Sequence, residues 1–99
     1  MKQIKNILKS IDTLLNNYGE SNSYIRKALS GNDDNLWAFL LSNELWGGAG
    51  SIADQAILSN NVDRKRLESY LIELGEAQIK IGRVNQRTEM WVSAFKKIV

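Results

Sequence analysis

Glu44, Trp46, Gly47, Gly48, Gly50, Ser51 and Asp54 fall within eleven residues and bring together an aromatic ring, a hydroxyl, two carboxylates and a glycine-rich turn. Such a set can bind a small ligand or, with the carboxylates as acid and base, act on one. A glycine-rich turn leading into a helix N-terminus can also cradle an anion with its backbone N–H groups. No Lys-Ser/Thr pair follows Gly50 and no strand pattern precedes Gly47, so the turn is neither a phosphate-binding P-loop nor, lacking a βαβ unit, a dinucleotide fingerprint. The competing reading is a tight corner between helices. There the glycines let backbones pass closely and adopt positive φ, and Ser51 and Asp54 have capping-box spacing. The acidic surroundings disfavour an anion, and Trp37 and Trp46 read as core anchors, so the corner reading has the stronger case. Among the other carboxylates, Glu73 and Glu76 sit three residues apart beside Lys80 and Arg83. That spacing suits a solvated, salt-bridged helix face with a Glu76–Lys80 pair.

What is missing narrows the chemistry further. The 99 residues contain no cysteine and no histidine. Disulfides, thiolate nucleophiles, Ser-His-Asp triads and histidine- or cysteine-ligated zinc are therefore excluded. No catalytic residue, metal ligand or cofactor site is assigned. The longest apolar run, Leu36 to Leu41, is far too short to cross a bilayer. The N-terminal apolar residues are spaced instead of continuous, unlike a signal peptide. These features point to a cytoplasmic protein with no membrane contact.

The elements that would carry these residues are helices throughout. Ile4, Ile7, Leu8, Ile11, Leu14, Leu15 and Tyr18 follow one face of a 3.6-residue period and predict an amphipathic helix over 2–18, closed by Gly19. Ser21 or Ser23 can cap a short second helix carrying Tyr24, Ile25, Ala28 and Leu29, which Gly31 ends. Asn32 or Asp33 can cap a third, apolar on most sides from Leu36 to Trp46 and so expected to be the most buried. A short turn through Ile57 and a polar connector at Ser59-Asn60-Asn61 lead on. With 43% apolar residues and no alternating stretch, the chain reads as one all-α domain over 1–99, a four-helix bundle-like fold with a long C-terminal helix.

That last helix is expected to run unbroken from Asp63, its cap, to Val99. Leu67, Tyr70, Leu74, Ala77, Ile81, Val84, Thr88, Trp91, Phe95 and Ile98 alternate gaps of three and four, a heptad stripe. As one rod it would be ~54 Å long at the α-helical rise. On its other side, Ile72, Gly75, Ile79 and Gly82 repeat at similar spacing where a wet face would carry charge. Glycine inside a helix costs about 1 kcal/mol relative to alanine, which close approach of another helix would offset. A kink at Gly75 or Gly82 is the alternative. These four residues are the expected interface of a homodimer or of a complex with a protein partner. Thr88, flanked by Gln78 and Asn85, is either a polar layer in a helix pair or a stretch that emerges into solvent.

Charge is unevenly placed: residues 1–31 carry a net +3, residues 32–62 a net −4 and residues 63–99 a net +3. The acidic middle and basic ends can attract one another within or between chains. Arg64, Lys65, Arg66, Lys80, Arg83 and Arg87 form a stripe that can track phosphates, and cations at a helix start oppose its dipole. Against nucleic acid stand the overall charge of only +2 and the interleaved acids.

Leu45-Trp46-Gly47-Gly48-Ala49-Gly50-Ser51-Ile52-Ala53-Asp54, followed by Arg87-Thr88-Glu89-Met90-Trp91 in a long helix, resembles small bacterial all-helical proteins with a Leu-aromatic-Gly-Gly-x-Gly-Ser corner. The likeness covers about half the chain. It implies a bacterial origin and a stand-alone domain, of the accessory or immunity kind, and supplies no catalytic residue. The expected function is thus a non-enzymatic interaction module. A ligand or enzymatic site at Gly47–Asp54 and weak nucleic-acid binding are the alternatives.

Overall fold

The computed structural model describes residues 2–17, 23–48, 51–54 and 61–98. The chain is all-α: α1 (Lys2–Asn17), α2 (Ser23–Ser30), α3 (Asp33–Leu40), α4 (Asn43–Trp46), α5 (Asn61–Ile81) and α6 (Thr88–Ile98), with residues 52–54 also helical. Helix α5 is the spine, with α1 packed on one side and α6 on the other, while α2 bridges α1 and α3. Its 21 residues span ~32 Å at 1.5 Å each, close to the 34 Å longest dimension of the molecule. Gly19, Ser21, Gly50, Ile57, Ser59 and Asn60 lie outside the described residues.

Helix α1 buries Ile4, Ile7, Leu8, Ile11, Leu14 and Leu15, the apolar stripe read from its spacing. Asn32 caps α3 in extended conformation, its Oδ1 accepting the Asn35 N–H at 2.9 Å. The apolar run then divides. The Ser42 hydroxyl donates to the Phe39 carbonyl at 2.6 Å, Ser42 turns extended at ψ 161°, and α4 starts one residue later. A serine that bonds its own preceding turn competes with helix continuation in this way. Leu36, Leu40, Leu45 and Trp46 are nonetheless fully enclosed, and six of the eleven residues from Leu36 to Trp46 are buried, against six of the sixteen in α1.

The single long helix of the sequence reading is corrected to a helical hairpin. The helix also starts at Asn61, ahead of Asp63, so Asp63 is not its cap. It stops at Gly82, which has φ +84°. The Gly82 N–H reaches the Ile79 carbonyl at 3.0 Å and the Arg83 N–H the Gln78 carbonyl at 3.1 Å. Together these bonds make a Schellman cap, which favours glycine at the left-handed position. The chain then turns through 82–87 and returns as α6 along α5.

The helix that Gly75 accommodates is therefore α6 of the same chain. A Cβ on Gly75 would collide with Val92 Cγ2 and come within 3.3 Å of the Trp46 ring. The buried stripe of α5 is also displaced from the heptad: Leu67, Glu68, Leu71, Leu74, Gly75 and Gln78 are inside, Tyr70 and Ala77 are half-buried, and Ile81 is 53% exposed. Glu76 pairs across the hairpin with Lys96 at 2.7 Å instead of along the helix with Lys80.

Glu68 stands out in this core. It is 1% exposed, and neither carboxylate oxygen has a hydrogen-bond donor. Among the described residues, its one ionic contact is Arg64 Nε at 3.6 Å. Burying a charge costs several kcal/mol unless good geometry offsets it, and a single long contact offsets little. Arg64 is a third exposed and can turn to water if its partner is lost. Glu68→Leu should therefore raise stability by about 1–3 kcal/mol. A urea midpoint shifted upward at unchanged slope is the expected readout, and a lowered midpoint would refute it.

Candidate functional site at the corner and the hairpin turn

Short helices leave carbonyls without partners at their C-terminal ends. The end of α3 exposes those of Leu40 and Leu41, and the end of α4 that of Trp46. Three side chains of the α5–α6 hairpin meet them. Gln78 Nε2 donates to the Leu40 carbonyl at 3.0 Å, Asn85 Nδ2 to that of Leu41 at 2.7 Å, and Trp91 Nε1 to that of Trp46 at 2.9 Å. Gln78 also donates to the Arg83 carbonyl at 3.1 Å and accepts the Trp46 indole N–H at 3.1 Å. Asn85 holds the turn itself: its Oδ1 accepts the Arg87 N–H at 2.9 Å, and its own N–H goes to Thr88 Oγ1 at 3.0 Å. The Arg83 guanidinium lies 4.2 Å above the Trp37 ring, a cation–π contact that adds to the clasp. Thr88 and Gln78 are both fully buried, so the polar interruption of the stripe is an internal layer of a helix pair and not a wet gap.

This clasp uses most of the residues that pointed to a ligand site. Trp46 is enclosed and its one donor is spent on Gln78. The Ser51 hydroxyl donates to the Gly47 carbonyl at 2.8 Å and accepts the Asp54 N–H at 3.1 Å, with Ser51 only 3% exposed. It acts as a helix cap, as its spacing allowed, and is not positioned as a nucleophile. Gly47 and Gly48 do not have positive φ; a Cβ on Gly47 would strike the Asn43 carbonyl. The Arg87 guanidinium is close to Gly48, with Nη1 3.1 Å from where a Cβ there would stand. Glu44 does not face the corner. It lines a separate groove of about 420 Å³ with Tyr24, Lys27, Phe39 and Asn35, between α2 and α3. Asp54 is half-buried beside Ser51, and Gly50 lies outside the described residues. Among the described residues no three carboxylates gather as a metal site.

The four interface residues separate as well. Gly75 and Gly82 are used inside the chain, Ile72 packs against the core, and Ile79 remains 38% exposed. The basic stripe is not continuous, since Arg64 meets Glu68, and Arg83 and Arg87 belong to the turn. Sequence reasoning missed Glu68, and it placed Gln78 and Asn85 beside a polar layer at Thr88 without their partners on α3 and α4. For Gln78 the signal was present: it lies three residues beyond Gly75, on the face that must meet another helix.

The surface near the turn is what remains. Ile79, Ile81 and Met90 are exposed at 38, 53 and 52%, and all three flank the 82–87 connection. Lys80, Arg83, Arg87 and one acid, Glu89, are exposed along the same 79–90 stretch. No family model, curated protein or solved structure matches this chain.

Proposed function

We propose that the protein is a cytoplasmic, non-enzymatic interaction module that associates with a second copy of itself through the turn end of the α5–α6 hairpin. One observation carries this reading. Of the four large apolar side chains exposed among the described residues, three (Ile79, Ile81 and Met90) lie at that end. Scattered exposed apolar residues need no explanation, but a group at one end of a domain with an otherwise enclosed core marks a contact surface. The surface differs from the one expected on the helix: Ile79 is kept, Ile81 and Met90 join it, and Gly75 and Gly82 drop out. An enzymatic or ligand-binding corner has less support, because the Trp46 indole and the Ser51 hydroxyl are already engaged. Among the described residues no helix is long and apolar enough to cross a membrane. The corner's resemblance to small bacterial helical proteins suits an accessory module of this kind.

Sedimentation equilibrium over a wide concentration range tests the proposal. The wild-type chain should show a concentration-dependent dimer. Ile81→Lys with Met90→Lys should weaken the association at least about tenfold, since each removes an apolar anchor. Both residues are half-exposed, so the helical circular dichroism and thermal midpoint should not change. A wild-type protein that stays monomeric at every concentration would end the self-association reading.

A further inference from the structure

We propose that a notch between α1 and α5 binds a phosphate monoester. The notch has a volume of about 260 Å³. Lys9 enters it from α1 and Arg66 from α5, with Thr13, Asn17, Leu14 and Tyr70 completing most of the wall. Two cations from different helices thus line one small concavity, and among the described residues its lining includes no carboxylate.

Among the described residues, the fold does not use these charges. Lys5 contacts Asp33, Arg26 contacts Asp12, Arg64 contacts Glu68 and Lys96 contacts Glu76. Among the described residues, Lys9 and Arg66 have no such partner. The Thr13 and Tyr70 hydroxyls make no hydrogen bond there either, whereas that of Ser10, also in the lining, is given to the Asn6 carbonyl at 3.1 Å.

The unused groups define the ligand. An ammonium, a guanidinium, two hydroxyls and an amide are mostly donors, and their charge of two matches a phosphate monoester, which carries about −1.5 to −2 at pH 7. A guanidinium suits two phosphate oxygens at once, and a lysine adds a point charge. Leu14 and the Tyr70 ring give the notch an apolar side, so an organic monoester fits better than the bare ion. This site is separate from the hairpin turn and does not depend on self-association.

The test is a titration of the ¹⁵N-labelled 99-residue chain with phenyl phosphate and with inorganic phosphate, followed by amide shifts. The expected result is saturable shifts confined to residues 9–17 and 66–70, tighter for phenyl phosphate. Arg66→Gln should weaken binding about tenfold or more, the scale of one charge-assisted contact. Affinity should also fall as pH drops through the phosphate's second pKa, about 6. Lys9 and Arg66 are exposed, so their variants keep the fold and the same amide spectrum elsewhere serves as the check. Shifts that do not saturate, that sodium chloride reproduces at equal ionic strength, or that survive Arg66→Gln with Lys9→Gln would overturn the proposal. Vesicles of phosphatidylcholine with and without phosphatidic acid identify the source. Selective pelleting with phosphatidic acid assigns a lipid headgroup, and binding of phenyl phosphate alone assigns a free monoester.

Discussion

Gln78→Leu should cost about 3–5 kcal/mol of folding stability, the sum of what its buried partners lose when a donor or acceptor vanishes. The substitution nearly preserves volume, so packing contributes little. It strands the Trp46 indole N–H inside a side chain with no exposed surface, and it takes the only side-chain donor the Leu40 carbonyl has in the clasp. Each buried orphan costs about 1–3 kcal/mol, while the half-buried Arg83 carbonyl can recover a water. For a small domain with ~5–15 kcal/mol in total, that is a large fraction. Urea unfolding monitored by tryptophan fluorescence measures it directly. Trp46→Phe in the Gln78→Leu background separates the cause, because it removes the orphaned donor. The two changes together should be less damaging than their separate costs imply, with a coupling of at least about 1 kcal/mol. A Gln78→Leu protein within about 0.5 kcal/mol of wild type, the usual scale for substitutions away from buried networks, would mean that water reaches these groups.

The same network explains why part of the fold could not be read along the chain. The α1 stripe, the Asn32 cap and the Ser51 cap are local signals: the residues that decide them lie within one or two turns, and the structure has them as expected. The hairpin is a different matter. The alternating gaps of three and four continued from Ile81 through Val84 to Thr88, yet that span is a turn. Val84 and Thr88 are part of no helix that contains Ile81. What breaks the helix is Gly82 at its left-handed cap, together with Asn85, whose partners are Leu41 and Asn43, more than forty residues away. A period counted along one strand of sequence carries no information about such a partner. Gly82 is a kink position by residue type, but the stripe stays in phase across the turn and masks the break.

The corner residues are withdrawn from solvent for a related reason. Residue types near one another in sequence allow a shared pocket, but backbone satisfaction takes precedence in a corner built from one- to two-turn elements. Ser51 and Trp46 are the nearest groups able to close Gly47 and Gln78, and that use removes them from the solvent. Glu44, one turn earlier, points into another groove because α4 is a single turn and its faces diverge quickly. Conversely, Lys9 and Arg66 are 57 positions apart in the sequence and meet only because α1 packs on α5.

The second large effect is expected at Gly75, and here two tendencies compete. Alanine is the better helix former by about 1 kcal/mol, so on an exposed helix Gly75→Ala would stabilise. In this position the new methyl would overlap Val92 Cγ2 and press on the Trp46 ring. Overpacking of that kind costs about 1–3 kcal/mol, which exceeds the propensity gain, so Gly75→Ala should still be destabilising. Gly75→Val leaves no such balance. It adds two more carbons on a stiff β-branched side chain, with Trp46 fully enclosed behind it, and should cost about 3 kcal/mol or more. The cost can be traced to its cause by making room on the other helix. Val92→Ala removes the atom that Gly75→Ala would strike, so in that background the alanine at 75 should turn from harmful to neutral or stabilising. The sign change between backgrounds is the diagnostic, since a general loss of helix stability would be the same in both. If Gly75→Ala stabilises the wild-type chain outright, α6 does not lie against α5 at this point. The hairpin, and with it the turn that carries Ile79, Ile81 and Met90, would then have to be redrawn as the long rod that the heptad spacing implies.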